Sequence, residues 1–228
     1  MLEVPIVEPS YDALPVFPLP NFVIFPNTMT RLHIFEPRYR LMASDALATQ
    51  RLIVLVGLKP GWESDYYGSP PVHEVGSLCK IVNDERLEDG RYNLFVHCLA
   101  RVQLTTLHRL MPYRTAGVTV RPDHPADSRR IDDSVQRLVA VVRGLVLKLG
   151  ENGALLGSVL AATRKPGILT NRLAAALATD PAERQRLLES MDPVERADRL
   201  TDLAGDLLLR VDQPEMGELE GLDMSMVN

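Results

Sequence analysis

The chain has 228 residues, 46% of them hydrophobic and 24% charged, a composition that can bury a core and fits one large domain or two small ones. Lys and Arg number 25 against 30 Asp and Glu, and the formal net charge of −5 argues against a protein that grips nucleic acid along its phosphates. No apolar run approaches the ~20 residues that span a bilayer, and the opening MLEVPIVEPSYDAL lacks the basic start and apolar stretch of a secretory leader. The expected compartment is the cytoplasm, with Cys79 and Cys98 as reduced thiols.

The first half reads as strands. Leu14–Pro20 and Asn21–Asn27 are short apolar runs cut by proline. Seven of the 17 prolines fall before residue 38, and each removes a backbone donor, which suits edge strands and tight turns. Thr30–Phe35 alternates, with Leu32 and Ile34 on either side of His33. Pro37 is well placed at a first helical position, and Tyr39, Met42, Ala43 and Leu47 then recur at helical spacing. Leu52–Gly57 is apolar throughout, as expected of a strand covered on both faces. Val75–Asn83 and Arg91–Val102 flank a polar stretch ending in Asp89-Gly90, a hairpin signal, and Tyr92, Leu94, Val96 and Cys98 share one face. Gln103–Leu110 and Tyr113–Val120 continue the β pattern up to Pro122.

The second half is helical. From Arg129 to Leu149 the residues Val135, Leu138, Val139, Val142, Leu145, Val146 and Leu149 form one apolar stripe. Gly150, Gly153 and Gly157 loosen the next stretch, and Lys165-Pro166-Gly167 reads as a turn. Asp180-Pro181-Ala182-Glu183 and Asp192-Pro193-Val194-Glu195 each offer an Asp N-cap, Pro at the first helical position and a Glu able to reach back to the cap amide. The second of these helices is expected to bury Ala197, Leu200, Leu203, Ala204, Leu207 and Leu208. Strands first and helices after argue α+β. The predicted organisation is a β-rich subdomain over residues 1–122, a helical subdomain over 123–212 and an acidic flexible tail over 213–228, where four acidic residues meet no basic one.

The usual catalytic signatures are missing: no Gly-rich phosphate loop, no His-Glu-x-x-His and no Gly-x-Ser-x-Gly. His33, His73, His97, His108 and His124 lack metal-ligand spacing, so neither a metal nor a cofactor is expected. Cys98 follows His97, but neighbours on a strand point to opposite faces and cannot form a nucleophile–base pair. Three features remain. In Phe35-Glu36-Pro37-Arg38-Tyr39-Arg40, Arg38 or Tyr39 reads as a ligand contact. The structural alternative puts Glu36 at the positive helix start and pairs Arg38 with a carboxylate. The loop Lys59–Glu74 concentrates Trp62, the only tryptophan, with Tyr66 and Tyr67. Its rings either anchor a partner or fold back over one end of the sheet. The stripe of Arg129–Leu149 either docks a partner or packs within the chain itself.

With these residues in view, the sequence resembles the N-terminal, substrate-recognition domain of Lon proteases, in the form of stand-alone bacterial Lon-N-like proteins. Leu14-Pro15-Val16-Phe17-Pro18-Leu19 with Val23-Ile24-Phe25-Pro26 matches that family's opening, and Leu32-His33-Ile34-Phe35-Glu36-Pro37-Arg38-Tyr39 its next segment. His73 to Ile81, Asp89 to Tyr92, Ala100-Arg101-Val102 and the late Asp192 to Leu200 continue the likeness over about residues 11–211. Asn27 stands where the family has Gly, a replacement that a left-handed turn accepts. Cys98 to Ala100 also departs from a family Gly.

The resemblance implies a PUA-like pseudobarrel followed by a helical bundle, and a job in binding polypeptide. It does not imply proteolysis, because the ATPase and Ser–Lys protease modules of full Lon have no counterpart in these residues. The expected function is therefore a non-enzymatic module that recognises exposed apolar polypeptide or a dedicated protein partner, with self-association left open and neither nucleic acid nor membrane expected. The expected contacts are Phe35, Arg38, Tyr39, Trp62, Tyr66 and Tyr67. The alternatives are an RNA-binding PUA-like module, which rests on fold analogy alone, and a small hydrolase whose site the sequence does not single out.

Overall fold

The computed structural model describes residues 7–108 and 112–211, so the acidic stretch 213–228 and part of the Gln103–Leu110 segment lie outside the described residues. The chain divides into two compact units, Met1–Pro122 and Asp123–Asn228, and the class is α+β.

The first unit carries β1 (Ser10–Leu19), β2 (Met29–Ile34), α1 (Pro37–Ala48), β3 (Leu52–Gly57), β4 (Val75–Arg86), β5 (Tyr92–His108) and β6 (Arg114–Val120). The strand order is β2-β5-β4-β3-β1-β6, and β6 also pairs with β5, so five strands close on themselves and β2 extends the sheet outside the closure. Only the β1–β3 pairing is parallel among the described strands. The 17-residue β5 makes the closure, pairing with β2 and β4 over its first part and with β6 over its last. Irregularities at Leu78/Cys79, Ile81/Asn83 and Leu104/Thr106 mark where the ladders bend.

Apolar residues fill both faces of this sheet. Leu14, Val16, Leu52, Val54, Val56, Leu78, Val102, Ala116 and Val118, all from strands, pack inside the closure. Leu32, Ile34, Ile53, Leu55, Cys79, Ile81, Leu94, Val96 and Cys98 pack with Tyr39, Met42, Ala43 and Ala46 of α1. Alternate residues of β3 serve the two clusters, which is why its run is apolar throughout.

The sequence predicts a strand over Asn21–Asn27, and the structure places there an irregular segment that buries Val23, Ile24 and Phe25. Asn21 and Asn27 take left-handed conformations (φ 52° and 65°), and prolines flank or interrupt the run, so no ladder can propagate through it. Its buried Ile24 carbonyl accepts instead from Ser77 Oγ, 2.6 Å away.

The second unit carries α2 (Ser128–Leu149), a 3-10 turn at Gly150–Gly153, α3 (Ala154–Ala162), α4 (Pro166–Leu177), α5 (Pro181–Glu189) and α6 (Pro193–Val211). Lys165-Pro166-Gly167 has the composition of a turn but starts α4: Pro166 occupies the first helical position, where its missing N–H has no intrahelical use. Asp127 and Asp180 cap α2 and α5 by accepting from the amides of Arg130 and Glu183 at 3.0 and 2.8 Å. Glu183 does not close a capping box; its carboxylate accepts from Arg199 and Arg186 instead. On α2 the residues Leu138, Val142 and Leu145 are buried, and on α6 Ala197, Leu200 and Ala204, whereas Leu203, Leu207 and Leu208 remain half-exposed. Gly144 lies against Leu208 and Arg137 pairs with Asp198 at 2.8 Å, so α2 and α6 run side by side. Within the helical stretch Ser128–Ala162 one 18-residue window is apolar enough to cross a bilayer by length and composition alone, although no uninterrupted apolar run of that length occurs. Its apolar positions form a stripe that pairs with α6, and the 3-10 turn at Gly150 interrupts it.

Candidate functional site

The two candidate segments of the first unit meet at one carboxylate. Glu36 precedes α1 with extended backbone and makes no side-chain cap. Its Oε1 accepts the phenol of Tyr66 at 2.8 Å, and its Oε2 accepts Arg38 Nε at 3.0 Å. Arg38 also reaches the carbonyl of Tyr66 at 3.4 Å, and its guanidinium sits 4.7 Å from the Tyr39 ring and 5.7 Å from the Tyr66 ring. The Glu36–Tyr66 hydrogen bond joins residues thirty positions apart in the chain. The Tyr66 phenol is pushed up to about 12 by burial first and by its bond to Glu36 second.

From this latch an aromatic ladder rises. Trp62 stands edge-on to Tyr66 at 5.6 Å, and Tyr66 stands edge-on to Tyr67 at 5.2 Å. Trp62 and Tyr66 are half-buried, while Tyr67 is 86% exposed. The expected alternatives, rings anchoring a partner or rings folded back, are thus divided among the three residues. The base of the loop is fixed separately: Leu58 bridges to Val72, Lys59 N–H donates to Pro71 C=O at 2.9 Å, and Arg114 donates to Pro70 C=O at 2.8 Å.

The remaining candidates separate by exposure. Phe35 is 59% exposed and stacks on His33 with centroids 6.2 Å apart. Tyr39 is only 6% exposed and packs 4.6 Å from the Phe17 ring, so it supports the site from the core and presents no surface to a partner. Helical spacing turns Tyr39 inward with Met42 and Ala43, and burial, the largest effect on its phenol, raises its pKa. The same spacing turns Leu41, 45% exposed, outward beside Arg38. The sequence marks Glu36 only as a residue favoured at a helix start. No sequence signal points to it as the hub, because its partner lies on a remote loop.

No group of three His, Cys, Asp or Glu side chains is placed to hold a metal ion among the described residues. Cys79 and Cys98 face each other across β4 and β5, buried and unbridged, and burial raises the Cys79 thiol well above its usual range.

The match to known proteins covers this whole arrangement. The family model of the ATP-dependent protease La (LON) substrate-binding domain matches residues 13–205. Among curated relatives, the Lon protease of Roseiflexus castenholzii is 27% identical over 186 residues, which are 81% of this chain and 23% of that protein. Lon protease 2 of Sorangium cellulosum is 25% identical over 226 residues, 92% of this chain and 28% of that one. The chain thus spans about a quarter of the length of such relatives. Among solved structures, the N-terminal domain of Mycobacterium avium complex Lon protease superposes with a TM-score of 0.67 at 17% identity, over 86% of this chain and 99% of that one. The Lon N-terminal domain protein from Xanthomonas campestris gives 0.60 at 20% identity, over 84% and 98%. These two likenesses concern the fold, and the family match carries the assignment: the chain belongs to the ATP-dependent protease La (LON) substrate-binding domain family, a family of substrate-recognition modules.

Proposed function

We propose that this chain binds exposed apolar segments of non-native polypeptide, using Trp62, Tyr66, Tyr67 and Phe35 as contacts and Glu36 and Arg38 as positioning residues. The observation that carries the reading is the latch. An almost fully exposed Tyr67 ring rests on Tyr66, and Tyr66 is pinned to Glu36 and Arg38 on the rigid strand-to-helix junction. An aromatic surface held this way loses little conformational freedom on binding, which raises affinity. Recognition takes place without cleavage by these residues, and the buried, unbridged thiols suit the reducing cytoplasm.

The test is equilibrium binding of fluorescein-labelled, reduced and carboxymethylated lactalbumin, with a labelled single-stranded RNA beside it. Apolar anchors cost about 2 kcal/mol each when truncated at a well-packed contact, so Trp62→Ala/Tyr67→Ala should weaken polypeptide binding at least roughly tenfold. Binding by burial should also change little with salt. Unchanged affinity in the double variant, or binding of RNA alone, refutes the reading.

A further inference from the structure

We propose that the outer edge of β2 takes up a strand of the bound polypeptide, so that main-chain hydrogen bonds hold the segment whose side chains the aromatic shelf selects. The inference rests on the polypeptide-binding reading and adds to it how the backbone is gripped.

The main chain around Cys98 shows which groups of β2 point outward. Cys98 N–H donates to Thr28 C=O, and Cys98 C=O accepts from Asn27 N–H, both at 2.9 Å. In an antiparallel ladder, hydrogen-bonded and non-hydrogen-bonded pairs alternate. From Met29↔His97 to Ile34↔Tyr92 the register runs without interruption. Thr30, Leu32 and Ile34 therefore turn both main-chain groups toward β5, while Met29, Arg31 and His33 turn theirs away from it. Side-chain burial follows the same phase: Thr30, Leu32 and Ile34 are buried, Arg31 and His33 exposed. β2 ends the strand order, and no further main-chain partner for its outward groups occurs among the described residues. The Thr30 hydroxyl donates to the Arg31 carbonyl at 3.4 Å, a long bond that leaves the second lone pair of that oxygen for another donor.

Proteins commonly guard such an edge with proline, a bulge or a charge lying across it. Met29–Ile34 contains no proline, and its ladder has no irregularity. Its two long polar side chains are held back on their own sheet. The Arg31 guanidinium lies 4.5 Å over the Phe95 ring, and His33 is held by Asn93 at 2.8 Å and stacked on Phe35. At its far end the strand leads through exposed Phe35 directly to Glu36, the hub of the aromatic site. The edge strand and the residue that anchors the shelf are thus neighbours along the chain. The occupant this geometry fits is an extended, proline-free stretch of polypeptide that donates and accepts at alternate residues, the mode of strand addition.

The test uses a fluorescein-labelled peptide alternating valine and threonine with lysine at both ends, and two forms of it N-methylated at every second amide, one in each phase. N-methylation keeps the side chains and removes the donors on one edge. The expected result is at least about tenfold weaker binding for one phase and little change for the other, because each lost main-chain bond weakens binding several-fold. Arg31→Pro removes an outward N–H without touching the ladder to β5, and should weaken the unmethylated peptide to a similar extent. Should that variant fail to fold, the methylated peptides on the unaltered protein decide alone. Equal binding of all three peptides overturns the edge and leaves the aromatic site standing. So does binding of carboxymethylated lactalbumin without binding of the peptide. Binding of neither probe overturns both readings.

Discussion

Tyr66→Phe isolates the latch, since it keeps the ring and removes only the hydroxyl that bonds Glu36 at 2.8 Å. The edge contact to Trp62 at 5.6 Å and the Arg38 guanidinium at 5.7 Å persist in the variant. A hydrogen bond to an ionised acceptor contributes about 1.5–3 kcal/mol, and at this half-exposed position a loss of about 1 kcal/mol is expected, a roughly fivefold shift of the loop toward its open form. The change should be local, because the loop base is held independently by Leu58 with Val72 and by Arg114 with Pro70. Trp62, the only tryptophan, reports directly: acrylamide quenching should rise while the urea midpoint stays in place. The linkage has a definite sign. The phenol's pKa is raised from 10.0 to about 12, so the latch holds below pH 10 and is lost as pH climbs toward 12. Quenching in the wild type should increase across that window and in the variant should not. Tyr113, also raised to about 12 through burial and its bond to Asp45, titrates in both proteins and serves as the control. Equal quenching in wild type and variant, or a midpoint shift as large as the quenching predicts, refutes the latch.

Two further predictions concern stability and chemistry. Arg196 is fully buried and donates to Asp123 at 2.6 Å and to Ser190 C=O at 2.8 Å, so Arg196→Met should cost the helical unit about 3 kcal/mol, read from urea unfolding; a loss below the error of the fit would show the pair to be dispensable. Cys79 and Cys98 should ignore Ellman's reagent in the folded protein and react in urea, because burial both shields them and holds the Cys79 proton. Native reaction at the denatured rate contradicts the packing described for α1 and the sheet.

The sequence by itself determined the elements whose signal is local. Leu52–Gly57 is a strand because a run apolar on both faces has no other economical placement. α1 begins at Pro37, and α5 at Pro181 behind its Asp180 cap, because the fixed φ of proline and a carboxylate acceptor act within one turn. Asn27 took the left-handed turn for the same local reason. Where local signals conflict, the sequence misleads: Lys165-Pro166-Gly167 has turn composition, yet the buried Leu169, Leu173 and Leu177 carry a helix from Pro166. Tertiary structure alone decided the site. It left Phe35 outside and bonded Glu36 to a phenol thirty positions away. It also decided that β2 ends the sheet with half of its main chain facing outward. A hydrogen bond between remote segments, like the free edge of a strand, depends on which surfaces the closed sheet brings together, and no periodicity in the sequence encodes that.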